Sequence, residues 1–197
     1  MTQARRMALY ALFITLFAFF LPSCSRYDEL VEKDQLAAQK WADVEATLQR
    51  RYDLIPNLVA TVKANAKFEA DTLEAVSKAR AEATQLKVDV TDAESMKKFN
   101  EAQSQLKGSL SRLLVQAENY PALKSNDSFK NLQVQLEGSE NRILRAREEY
   151  NKAAGDYNAA LGKVGGRAVN KVTGMPFKPR EFFKMDAAAA SAPKVSF

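Results

Sequence analysis

Six polar side chains, Glu69, Arg80, Glu140, Arg147, Asn151 and Asn158, fall on or beside apolar stripes of this 197-residue chain. A charge in such a position must be paired to be tolerated. Glu69 and Glu140 are of the type used for acid–base chemistry or for holding a metal. The alternative is an internal network of ion pairs and amides that fixes helix register. The network is the expected reading, because nothing in the sequence supplies a nucleophile or an open cleft. The chain has no histidine and one cysteine, which removes His-dependent triads, His metal ligands and Cys-rich zinc sites. The run Gly162-Lys163-Val164-Gly165-Gly166-Arg167 lacks the Gly-Lys-Ser/Thr ending of a phosphate loop. No cofactor, metal or catalytic residue is therefore expected. Two doublets, Tyr150-Asn151 and Tyr157-Asn158, recur seven residues apart, which sets both tyrosines on one helical seam with both asparagines beside it. Core packing, with the hydroxyls reaching the edge, is the expected role.

The lone cysteine, Cys24, follows a basic start (Arg5, Arg6) and fifteen residues, Met7 to Leu21, interrupted in polarity only by Thr15. As a helix that run spans about 22 Å, short of the ~30 Å hydrocarbon core, and reads as the apolar part of a signal peptide over residues 1–23. Leu21-Pro22-Ser23-Cys24 resembles the bacterial lipobox, in which the cysteine is acylated and becomes the new N-terminus. Pro22 departs from the usual residue. Lipid on Cys24 would tether the body to a bacterial membrane; the alternatives are a free thiol, a plain cleaved signal peptide and a retained N-terminal anchor, and in each the body lies outside the cytoplasm because Arg5 and Arg6 stay inside. Ser25 resembles the sorting signal for the outer membrane. Without the two leader arginines, 29 basic residues fall to 27 against 24 acids, so the net charge drops from +5 to +3. That balance, with no recognisable module, argues against nucleic acid.

The elements that position these residues are helical. Seven glycines and six prolines, with abundant Ala, Leu, Lys, Glu and Gln, match an all-α protein. Tyr27, Leu30, Ala37, Trp41, Val44, Leu48 and Ile55 form one stripe, and Leu58, Val59, Val62, Ala66, Leu73, Val76 and Ala83 a second. The second is expected to begin at Asp53, with Pro56 in its first turn. The rival is one helix running through Pro56. Thr91 and Glu94 suit a capping box before Met96, Phe99, Leu106, Leu110, Leu113, Ala117 and Tyr120. The last stripe alternates steps of three and four from Phe129 to Val164. An up-and-down four-helix bundle over residues 24–164 follows, with residues 165–197 as a basic, aromatic segment and flexible tail.

The segments "QRRYDLIPNLVATVK", "NYPALKSNDSFKNLQ", "QLEGSENRILRAREEYNKAAGDYN" and "MPFKPREFFKMD…APKVSF" together resemble the LemA family of bacterial membrane-associated proteins. The resemblance implies a helical bundle beyond an N-terminal anchor and no defined reaction. It also implies association with envelope membrane proteins, such as a TPM-domain protein or a membrane protease of the HtpX type.

In such a bundle the "DLIPN" and "NYPALKSND" turns meet at the end far from Cys24. Asp53, Leu54, Ile55, Pro56, Asn57, Tyr120, Pro121 and Asn126 would then form a tip for a partner. At the near end Lys163, Arg167, Lys171, Lys178, Arg180 and Lys184 interleave with Phe177, Phe182 and Phe183, opposed only by Glu181. This segment is the candidate for contact with lipid headgroups, the alternative being that its phenylalanines pack onto the bundle. The expected function is a non-enzymatic, membrane-anchored scaffold or adaptor of the bacterial envelope. An accessory subunit of a membrane protease or other envelope enzyme is the alternative, and self-association is open.

Overall fold

The computed structural model describes the backbone of residues 3–64, 68–174 and 177–184, and the side chains of these from Ser25 onward. The expectations for the Cys24 thiol, for Ala66 and for the tail after Lys184 lie outside the described residues. The described residues form six helices and no strand: α1 (Gln3–Lys63), α2 (Ala70–Gln85), α3 (Ala93–Ala117), α4 (Pro121–Lys124), α5 (Asp127–Gly162) and α6 (Val164–Thr173). The all-α class stands, and six helices replace the expected four.

The first correction concerns Pro56. No helix begins at Asp53; α1 runs through Pro56 to Lys63, as the rival reading had it. A proline inside a helix normally breaks it, because it removes the N–H that would bond the carbonyl four residues back. Here that carbonyl is Tyr52 O, and it accepts a hydrogen bond from Arg80 Nε of α2 at 2.9 Å. The guanidinium replaces the missing donor from outside the helix. Arg80→Ala should therefore cost about 1.5–3 kcal/mol, the range for a hydrogen bond to a charged group. In a Pro56→Ala background, where the restored backbone N–H can reach Tyr52 O, the cost should shrink. A double-mutant cycle in urea reads this coupling, and equal costs in both backgrounds would refute the capping role.

The second correction moves the cap of α3 by one residue. Asp92, not Thr91, takes the position, its carboxylate accepting from Glu94 N and Ser95 N at 3.3 and 3.2 Å. The Thr91 hydroxyl instead donates to Asp89 Oδ1 at 2.8 Å.

The chain divides into two compact units, Met1–Gln39 with Lys152–Arg180, and Lys40–Asn151 with Glu181–Phe197. In the larger unit α1 and α3 run in the same sense, since Trp41 meets Phe99 (ring centroids 5.4 Å) and Tyr52 meets Gln103. The α5 helix runs the other way, bringing Glu140 to Arg51 and Tyr150 to Trp41. Against α3, α2 is antiparallel and starts where Thr72 bonds Gln116. The stripe residues Val44, Leu48, Leu58, Val62, Val76, Ala83, Met96, Leu106, Leu113, Leu136 and Ile143 are all buried.

In the smaller unit Leu30, Tyr157, Ala160, Leu161 and Val169 form the core, with Tyr27 and Phe177 packed against it. The expectation that regular structure ends near residue 164 is overturned by α6, which folds back over the end of α5. A Cβ on Gly166 would lie 2.3 Å from Ala160 O, so only glycine permits this approach. Gly174, at φ +63°, ends α6 in the left-handed conformation that favours glycine.

Candidate functional site

The most polar part of the interior lies where α1, α3 and α5 of the larger unit converge. Arg51 is 2% exposed. Its Nη1 donates to Glu140 Oε1 at 2.8 Å, and its Nη2 donates to Gln103 Oε1. The Gln103 amide in turn donates to the Tyr52 hydroxyl at 2.6 Å. A shallow groove of ≈ 310 Å³ opens beside this network, lined by residues including Arg51, Asn100, Lys107, Glu140 and Arg147. Arg51, which the sequence reading passed over, is its centre. The arginine sits at the turn of the stripe between Leu48 and Ile55, a position that periodicity alone assigns to an apolar residue.

Glu140 is therefore a counter-ion, held by a guanidinium. Glu69 is elsewhere, accepting from Gln116 Nε2 at 2.8 Å near the end of α3. Gln103 and Gln116 are thirteen residues apart on α3, about 20 Å along its axis. The two carboxylates do not meet, so no acid–base pair forms between them. Among the described residues no group of three or more His, Cys, Asp or Glu side chains is placed to hold a metal.

The remaining polar candidates converge on an extended segment, residues 177–184. Asn151 grips Phe183 twice, Nδ2 donating to Phe183 O at 2.9 Å and Oδ1 accepting from Phe183 N at 2.8 Å. Asn158 holds Arg180 in the same way, both bonds at 2.8 Å. On α6, Asn170 repeats the grip on Phe177 at 3.0 and 2.9 Å. The tyrosine hydroxyls donate to the carbonyls between: Tyr150 to Glu181 O at 2.8 Å and Tyr157 to Lys178 O at 3.0 Å. Burial first, and then the negative charge of Asp34, push the Tyr157 phenol up to about 12 against the opposing effect of Arg180. Tyr157 is thus a neutral donor at any physiological pH.

The gripped residues 177, 180 and 183 are spaced by three, whereas the Tyr-Asn doublets are spaced by seven. Three extended residues cover about 10 Å. Seven helical residues cover about 10.5 Å, so the two spacings match.

This strap alters the expected membrane face. Phe183 is 6% exposed, stacked edge-on against Trp41 and Phe99, with the Arg147 guanidinium 5.6 Å from its ring centre. Phe177 lies edge-on to Tyr27, and Arg180 Nε pairs with Asp34 Oδ1 at 3.0 Å. Phe177, Arg180 and Phe183 therefore turn inward, because each has an aromatic or acidic partner there. Lys178, Phe182 and Lys184 remain exposed.

The expected tip is also redrawn. Asp53, Leu54, Ile55, Pro56 and Asn57 lie within α1, with Leu54 and Ile55 buried, and so form no turn. Instead Phe68, just ahead of α2, packs on the Tyr120 ring at 5.1 Å. Pro121 opens α4, and Asn126 Oδ1 accepts from Phe129 N at the start of α5.

The LemA family model matches residues 40–197, from the start of the larger unit to the end of the chain. The chain belongs to the LemA family. Relatives include the magnetosome protein MamQ of Magnetospirillum gryphiswaldense, 28% identical over 86% of this chain and 69% of its own. Two more, MamQ 1 and MamQ 2 of Paramagnetospirillum magneticum, are each 26% identical over 87% of this chain and 69% of theirs. Within this LemA protein the matched span takes in both Tyr-Asn doublets, Asn170 and the strap. The leader and the first turns of α1 after Cys24 lie outside it.

Proposed function

We propose that this LemA-family protein is a non-enzymatic helical scaffold or adaptor of the bacterial envelope, tethered to a membrane by lipid on Cys24 with its body outside the cytoplasm, on the periplasmic side. The observation that carries this reading is the commitment of the polar candidates to the fold. Arg80 caps a carbonyl, Glu140 neutralises Arg51, and Asn151 and Asn158 hold the strap. Groups so occupied are not poised to act on a substrate. The relatives named as magnetosome proteins support the membrane-associated part of the reading. Residues 53–57 lie within α1, with Leu54 and Ile55 in the core, so the partner surface falls to the region of Phe68, Tyr120 and Pro121. Envelope membrane proteins are the partners in view, and Ser25 resembles the residue that sorts lipoproteins to the outer membrane in a two-membrane host.

Among the described residues no helix is long and apolar enough to cross a membrane. The tether proposed here is lipid on Cys24, on the ground that Leu21-Pro22-Ser23-Cys24 resembles a lipobox. Cells fed labelled palmitate should yield labelled protein in the membrane fraction, and Cys24→Ala should abolish the label. Label that persists in the variant would overturn the assignment.

A further inference from the structure

The α6 helix turns Gly166 and Val169 inward. Its outer face carries Val164 and Val172, 77% and 82% exposed, with Ala168 between them at steps of four. No other large apolar residues described are as exposed. Beside this ridge, also at steps of four, run Lys163, Arg167 and Lys171, all exposed, and α6 contains no acid. An apolar ridge flanked by cations is the pattern of a helix lying in a membrane interface.

The geometry points to the outer face of α6 as a docking surface for an anionic lipid bilayer. Two observations select this occupant. The first is charge: a second copy placed face to face would oppose three cations with three, whereas acidic headgroups attract each of them. The second is position. A Cβ on Gly165 would lie 3.5 Å from Arg26 Cγ, so α6 starts against the α1 residue that follows Cys24 by two positions. Arg26 is five helical residues beyond Leu21, the end of the apolar leader run, or about 7.5 Å along α1. The acid near this point, Glu29, is occupied by Arg26 at 3.0 Å. The ridge thus lies close to where the sequence turns from apolar to polar. This inference rests on the tether reading for the presence of a membrane, and it replaces the strap as the surface that touches it.

The test uses full-length protein carrying Cys24→Ser and Ala168→Cys, with an environment-sensitive dye on the new thiol as the only label. It is reconstituted in vesicles of phosphatidylglycerol and phosphatidylcholine, or of phosphatidylcholine alone, with bilayer-embedded quenchers. The expected result is severalfold quenching in the anionic vesicles. Quenching should be lost in phosphatidylcholine and in a Lys163→Glu/Arg167→Glu/Lys171→Glu variant. Val164→Asp/Val172→Asp should also lose it while keeping the parental melting temperature, since both side chains are exposed. Protein that floats with anionic vesicles while its dye stays unquenched would overturn the inference and leave the tether untouched. Dye shielded equally without vesicles, through self-association, would overturn it as well. Quenching in this Cys24→Ser protein, alongside failed palmitate labelling of the parent, would sustain α6 docking and remove the tether.

Discussion

Phe183→Ala is expected to destabilise the protein by about 3–5 kcal/mol, the range for deleting a buried phenylalanine ring. The ring lies 5.1 Å from Phe99 and 6.5 Å from Trp41 in edge-on contacts, and such pairs add about 0.5–1.5 kcal/mol to simple burial. Its neighbour Phe182 is 43% exposed, and Phe182→Ala should change stability by no more than about 0.5 kcal/mol. Adjacent phenylalanines thus differ several-fold in what they contribute. Urea unfolding followed by Trp41 fluorescence checks this directly, because Trp41 is the one tryptophan and touches Phe183. Equal losses from the two variants would mean that the strap is not seated in solution.

The second large effect is an asymmetry across the Arg51–Glu140 pair. Arg51 is buried, whereas the Glu140 side chain is 36% exposed. Glu140→Ala leaves a largely buried guanidinium without its counter-ion, with Gln103 as its remaining hydrogen-bond partner and with Nε already lacking one. The expected loss is about 3 kcal/mol, the lower end for breaking a buried pair. Arg51→Met leaves a carboxylate that water can reach and fills the space with an unbranched side chain. That change should cost only ~1 kcal/mol, because replacing a buried charge by a well-packed apolar group is often close to neutral. Thermal unfolding of the two variants gives the order. The reverse order would show that the Arg51 charge is hydrated.

The stripes of α3 and α5 were legible because one apolar face repeated for many turns: Met96, Phe99, Leu106, Leu110, Leu113 and Ala117 are buried as read, and so are Phe129, Leu136, Ser139, Ile143, Ala146, Tyr150, Ala153, Tyr157 and Ala160. Local rules misled where a tertiary contact outweighed them. Pro56 looked like the start of a helix because Arg80, 24 residues further on, is invisible to a rule about proline. The bundle read from the stripe stops at residue 164, whereas Gly166 is what lets a further helix lie on the carbonyls of α5.

The strap was harder still, since its period is neither that of a helix nor that of a strand. A signal was nonetheless present: a Tyr-Asn pair repeated every seven residues, and, near the C-terminus, Phe, Arg and Phe repeated every three. The polar candidates were identifiable by type and by face. The partners of Arg80, Asn151 and Asn158 are backbone atoms far along the chain, which no side-chain pattern encodes.

Synthesis order gives the strap a further meaning. Arg180 finds Asp34 across 146 positions, and Phe183 completes the aromatic cluster around Trp41 from almost as far. At roughly 5–20 residues per second, the ribosome delivers Phe183 many seconds after Trp41. Long-range closures of this kind are slow steps in folding. The contacts of Phe183 with Trp41 and Phe99 are therefore among the last that a growing chain can make.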